Sequence, residues 1–263
     1  MVNYEPKPFY TCADLVEIVK LLRAPGGCPW DREQTHASIR RDLLEEAYEV
    51  AEAIDQESPE HLKEELGDLL LQVVFHAVLS QEEGQFDLDD VADGVCRKLI
   101  YRHPHVFGDV SVSSTGEVLQ NWEELKKKEK RQSSQADAAD AVARSLPALW
   151  RAEKVQKKAA KVGFDWPDVS GALDKVAEET AELKAAMEGD GDPGDEFGDL
   201  LFAAVNVGRF LKLDPEKSLT AATDKFAARF RKVGEAARVQ GRALADMTLA
   251  EMDRLWDQVK KQA

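Results

Sequence analysis

The run SIRRDLLEEAYEVAEAIDQESPEHLKEELGDLLLQVVFHAVL, residues 38–79, decides the fold class. Its apolar residues recur at intervals of three and four, the period of a helix, and not at the interval of two that marks a strand. Leu43, Ala47, Val50 and Ile54 trace one stripe; Leu62, Leu66, Val73 and Ala77 trace a second. Between them Ser58-Pro59 puts a capping hydroxyl before a proline at the first helical position, where the fixed φ fits and the missing N–H is no loss. The run therefore predicts two antiparallel helices, the second closing near Gly84.

The acids on this hairpin are arranged. On a helical wheel Glu46 falls about 60° from the centre of the first stripe and Glu49 about 60° further round, while Glu45 lies nearly opposite. On the next helix Glu65 and Asp68 are three apart and share a flank. Two antiparallel helices can thus turn four carboxylates toward one another. Carboxylates crowded beside an apolar core lose solvation and repel, so they either take up protons or bind cations. Hard oxygen donors with no His or Cys among them favour magnesium, with manganese as a substitute, over zinc. Such a centre suits the positioning of a polyphosphate and the activation of a water.

Working outward, helix starts recur along the chain. Thr11 with Asp14 opens a first helix, Ser38 is read as the cap of the next, and Asp87 opens another. Ser170 precedes a helix to about Met187, Asp214-Pro215 repeats the cap-proline device, and Thr248 with Glu251 forms a capping box. No alternating strand pattern appears, so the predicted fold class is all-α. The halves also repeat each other. Cys28-Pro29-Trp30-Asp31, Glu45-Glu46-Ala47-Tyr48-Glu49, Glu65-Leu66-Gly67-Asp68 and Lys98 to Arg102 have counterparts in Gly163 to Pro167, Glu178-Glu179-Thr180-Ala181-Glu182, Glu196-Phe197-Gly198-Asp199 and Lys225 to Arg229. The spacing between counterparts drifts by only a few residues, the mark of a duplication. We read residues 1–125 as one domain, the charged and then small, polar stretch 126–143 as a linker, and 144–263 as a second domain. A lone acidic pair on a helix is ordinarily a solvated face or a salt-bridge partner. Recurrence of the acids, of the glycine before each aspartate and of the apolar run after it argues otherwise.

With 263 residues, 43% of them hydrophobic, the chain has the material for packed cores. Its net charge of -15 argues against general nucleic-acid binding, which needs clustered cations. Three cysteines without CxxC spacing fit reduced thiols, and with no apolar leader or membrane-length run the expected location is the cytoplasm, free of a membrane.

The motifs together resemble the MazG family of all-α nucleoside triphosphate pyrophosphohydrolases in its two-domain bacterial form. They are GCPWD at 27–31, EEAYE at 45–49, ELGDLL at 65–70, RHPHVFG at 102–108, VGFDWPDV at 162–169 and EFGDLLF at 196–202. The resemblance implies tandem helical bundles completed by homodimerisation, and hydrolysis of a nucleoside triphosphate to the monophosphate and pyrophosphate. It implies metal ligands Glu179, Glu182, Glu196 and Asp199, which would be the catalytic set, and counterparts Glu46, Glu49, Glu65 and Asp68. It also assigns catalysis to the second domain and mainly assembly to the first.

The residues themselves add detail. Asn206 shares the acid face of its helix, where the first half has Phe75, and its amide is suited to reading a base or holding a water. Lys225 and Arg229 lie four apart and can offer two cations to a triphosphate; surface salt bridging is the plainer alternative. Trp166 and Trp256 are stacking candidates or packed core. Lys175 and Glu178, beside the acids, complete the substrate-binding set. His103 and His105 flank Pro104 and are read as turn-forming, and Cys28 has no partners that would make it a nucleophile. Two other readings remain: a helical interaction module whose carboxylates bind cations without catalysis, and an enzyme narrow for dUTP or phosphoribosyl-ATP.

Overall fold

A computed structural model describes residues 4–118 and 142–261, together with Asn121, Trp122, Leu125 and Ala139. The described residues are helical and contain no strand. The chain divides into two compact units, Met1–Glu129 and Lys130–Ala263. The linker predicted over 126–143 falls largely outside the described residues.

The first unit comprises α1 (Cys12–Arg23), α2 (Pro29–Glu33), α3 (Arg40–Asp55), α4 (Pro59–Glu82), α5 (Leu88–Arg102) and α6 (Pro104–Phe107). Helix α4 is its axis, with α1, α3 and α5 packed on it. The predicted starts at Thr11, Ser58 and Asp87 are present. Thr11 and Asp87 form reciprocal capping boxes with Asp14 and Asp90, and the Ser58 hydroxyl accepts from the N–H of His61. Gly84, at φ +70, closes α4 in the left-handed region that glycine enters without strain. His103 joins α5 to α6, its Nδ1 2.6 Å from the carbonyl of Leu99.

The second unit comprises α7 (Ala148–Ala160), α8 (Val169–Met187), α9 (Pro193–Phe210), α10 (Pro215–Val239), a 3₁₀ turn at Leu244–Asp246 and α11 (Leu249–Lys261). Helices α8 and α9 form the counterpart of the α3–α4 hairpin, and α7 packs on α9 and α10. Asp214 caps α10 by accepting from the N–H of Lys217, and also accepts from the Trp150 indole at 2.9 Å, which ties α7 to the start of α10. The capping box of Thr248 and Glu251 forms as expected. One predicted cap, Ser38, and one predicted helix start, after Ser170, are corrected. The Ser38 hydroxyl accepts from the N–H of Thr35 within a turn, and α3 begins after Ile39 with no side-chain cap. Helix α8 is capped by Asp168, which accepts from the N–H of Ser170.

The predicted apolar stripes need a larger correction. On α3 the side turned inward carries Leu43, Glu46, Val50 and Ala53, whereas Ala47 and Ile54 are exposed, Ile54 by 55%. On α4 Leu66 and Val73 are likewise exposed. Each helix is rotated so that its acids, and not the centre of its apolar stripe, face the neighbour. The packed cores lie elsewhere. One joins Val19, Ile39, Val74, Phe75, Val78 and Leu79 around the C-terminal half of α4. The other joins Val233, Ala237, Met247, Leu255 and Val259 between α10 and α11. Truncating Val233 there removes two buried methyl groups with little room for collapse, so Val233→Ala should lower unfolding free energy by about 2 kcal/mol. Val239→Ala, at an exposed site of the same helix, should change it by less than about 0.5 kcal/mol. Chemical denaturation monitored by circular dichroism reads both, and equal losses would contradict this placement of the core.

Candidate functional site

Helix α8 delivers Glu179 and Glu182 one turn apart, and α9 delivers Glu196 and Asp199 in the same way. Oxygens of Glu179, Glu196 and Asp199 all lie within 4.8 Å of one another. Glu182 stands against Glu179. Although the residue as a whole is exposed, desolvation of its carboxyl and then the neighbouring Glu179 raise its pKa above the usual carboxylate range. Glu179 is the innermost acid, 4% exposed. One of its oxygens accepts from Lys175 Nζ at 2.6 Å, while Oε2 is buried with no hydrogen-bond partner. The Lys175 ammonium also contacts Glu178 at 2.8 Å, and the two carboxylates push its pKa up.

The first unit repeats the arrangement with a different selection. Oxygens of Glu46, Glu49 and Glu65 lie within 4.8 Å of one another. Asp68, exposed on α4, remains close enough to act on Glu46, whose pKa is raised first by burial and then by the charges of Asp68, Glu49 and Glu65. In both units, therefore, the four acids on paired helices converge electrostatically. The partner differs: Glu65 is met at 2.9 Å by His61 Nε2, one turn earlier on α4, and the other ring nitrogen lies 3.3 Å from Gln56 Oε1. Sequence reasoning missed His61, although its position four residues before Glu65 was a usable signal.

The remaining candidates are distributed unevenly. Asn206 is buried on α9, and its Oδ1 accepts from Arg209 Nε at 2.7 Å. Lys225 is exposed and Arg229 half-buried on α10, and neither is in an ion pair with another described residue. Trp256 packs at 5.1 Å on Phe226 and against the α10–α11 core. Trp166 sits in the loop before α8, 40% exposed, with its ring over Gly171.

These donor sets fit a hard divalent cation. They are all carboxylate, they crowd in a way that only protons or cations relieve, and Glu179 holds a buried oxygen without a partner.

The MazG nucleotide pyrophosphohydrolase domain model matches residues 34–107, the span of the first unit's four acids. Over 250 residues the chain is 45% identical to the nucleoside triphosphate pyrophosphohydrolase/pyrophosphatase MazG of Thermotoga maritima, with 94% of each chain covered. It is 46% identical over 253 residues to the nucleoside triphosphate pyrophosphohydrolase of Escherichia coli, covering 94% of this chain and 96% of that one. A crystal structure of a mazG-related protein from Thermotoga maritima shares 30% identity at a TM-score of 0.39, over 44% of this chain and 98% of that one. Similarity of this extent, running through both units, makes the chain a member of the MazG nucleotide pyrophosphohydrolase family.

Proposed function

We propose that the protein hydrolyses nucleoside triphosphates to the monophosphate and pyrophosphate, with magnesium as cofactor and the second unit as the catalytic one. The observation that carries this reading is Glu179, buried with an unpartnered oxygen among converging acids and held by a lysine. Full-length relatives named as nucleoside triphosphate pyrophosphohydrolases support the reaction class.

Glu179, Glu182, Glu196 and Asp199 would hold the cation, which manganese can replace. When bound it supplies charge neutralisation for the phosphates and lowers the pKa of a coordinated water. Overall the hydrolysis joins a water oxygen to the α-phosphorus and breaks the bond from that phosphorus to the α–β bridging oxygen; pyrophosphate leaves, and the water's proton passes to solvent. Lys175 is held between Glu178 and Glu179 and would serve the phosphate chain as a cation on a flexible stem. Glu178 then serves to orient Lys175. Lys225 and Arg229 have no carboxylate partner among the described residues and would meet the outer phosphates. Asn206 and the faces of Trp166 and Trp256 are the candidates for the nucleoside end. Aromatic faces stack on any base, which supports breadth in the base.

We also assign the protein to the cytoplasm as a homodimer. Cys12, Cys28 and Cys96 are free thiols, and no helix among the described residues is long and apolar enough to cross a membrane. Leu66, Leu70 and Val73 form an exposed apolar line on α4, and Val91, Val95 and Leu99 form another on α5. A second copy covering them is the simplest occupant. Light scattering should give twice the chain mass of 29.3 kDa, and Leu66→Glu should shift it toward monomer; a wild-type monomer at micromolar concentration would end the dimer assignment.

Glu179→Gln removes one negative charge without changing shape. It should reduce magnesium-dependent pyrophosphate release by at least about 100-fold and abolish the rise in melting temperature that magnesium gives the wild type. The equivalent change in the first unit, Glu46→Gln, should cost far less activity. A folded Glu179→Gln variant with full turnover would refute the site, and the reverse ranking of the two variants would move catalysis to the first unit.

A further inference from the structure

The second unit contains a side-chain bracket that the acid constellation does not use. Arg209, near the end of α9, donates to Asn206 Oδ1 at 2.7 Å and through its terminal nitrogens to both oxygens of Asp165 at 2.9 and 2.5 Å. Its side chain is 11% exposed and that of Asp165 22%, so the pair is largely sheltered from solvent screening. Asp165 Oδ1 also accepts from the backbone N–H of Trp166 at 3.0 Å. On its other side the Trp166 indole rests on Gly171, where a Cβ would meet ring atom Cδ1 at 2.3 Å. The bracket and the glycine together fix where the indole lies.

That place has a direction. Gly171, Lys175 and Glu179 follow at four-residue intervals along α8 and share one face. The face presents in order an indole, an ammonium and the acid cluster. A nucleoside triphosphate presents base, phosphate chain and bound cation in the same order. The first unit keeps the tryptophan, as Trp30, 60% exposed, but not the bracket: by the alignment of the repeats Val78, in the core, replaces Arg209, Phe75 replaces Asn206, and Ser38, which carries a Cβ, replaces Gly171.

We propose that Trp166 is a base-stacking surface of the second-unit site, and that Arg209 is a positioning residue which holds it there through Asp165. The proposal rests on the nucleoside triphosphate reading above, and it confines a fixed indole, as distinct from an unbraced one, to the second unit.

The test compares nucleoside triphosphates with tripolyphosphate, an inhibitor that has the charged chain and no base, using the full-length protein with magnesium. Trp166→Ala should raise KM for each nucleoside triphosphate about 5- to 100-fold, with a smaller change in kcat, and leave the inhibition constant of tripolyphosphate unmoved. Trp166→Phe should restore most of the loss. Arg209→Ala should raise KM in the same direction, and Asp165→Asn, which spares the contact between Arg209 and Asn206, should add little on top of Trp166→Ala because it acts through the indole. Should Arg209→Ala fail to fold, Arg209→Lys and Asp165→Asn carry the same expectation, since each breaks the two-pronged contact. An unchanged KM in Trp166→Ala, or a parallel loss of tripolyphosphate binding, overturns the proposal. Absence of pyrophosphate release by the wild type would instead strike the underlying function.

Discussion

The constraint on which the structure depends is the crowding of like charges between two packed helices. Carboxylates turned toward a neighbouring helix repel one another and lose water, and the cost grows as the local dielectric falls. The second hairpin answers with a counter-charge inside the cluster, Lys175 at Glu179, and the first with the ring nitrogen of His61 at Glu65. Turning the acids inward also turns apolar residues outward. Ile54, Leu66, Leu70 and Val73 are exposed because the facing surfaces of α3 and α4 are occupied by Glu46 and Glu65. The apolar outer faces and the acidic interior are two results of one rotation.

The duplicated hairpins resolve the same charge problem from opposite helices. By the alignment of the repeats, Lys175 on α8 corresponds to Asp42 on α3, and His61 on α4 corresponds to Asp192 at the start of α9. In the second unit the compensating group is an ammonium on a long flexible stem. In the first it is a shorter imidazole that reaches Glu65 through a ring nitrogen. The position after the acids diverges in the same sense. Phe75 belongs to the core beneath the Arg23 guanidinium at 5.3 Å, whereas Asn206 is held by Arg209. One copy has turned this region into packing, and the other has kept it polar.

What could be read from the sequence was whatever is written locally. Thr11, Ser58, Asp87, Asp214 and Thr248 were identifiable as caps because a cap is set by residues within one turn of it. The duplication and the four-acid sets were legible because order and spacing survive in the chain. The facing of the helices was not. A hydrophobic stripe predicts the buried side only when the buried surface is apolar, and here Glu46 displaces Ile54 from it. Ser38 and Ser170 were misread because each hydroxyl lies beside a turn that another residue closes. Arg209 was missed because its partner Asp165 is distant in sequence, and no local period links them.

Keeping four acids in the first unit has its own physical consequence. Replacing crowded buried charges by apolar side chains of similar volume is commonly neutral or stabilising. A hairpin used only for assembly would therefore be no less stable with Leu or Met at the positions of Glu46 and Glu65. Both are present, with Glu65 only 8% exposed, so the first hairpin keeps a carboxylate cluster whose repulsion has to be offset locally, at Glu65 by the His61 ring. The two hairpins differ less in their acids than in what stands next to them: a lysine and an indole in one, a histidine and an apolar core in the other.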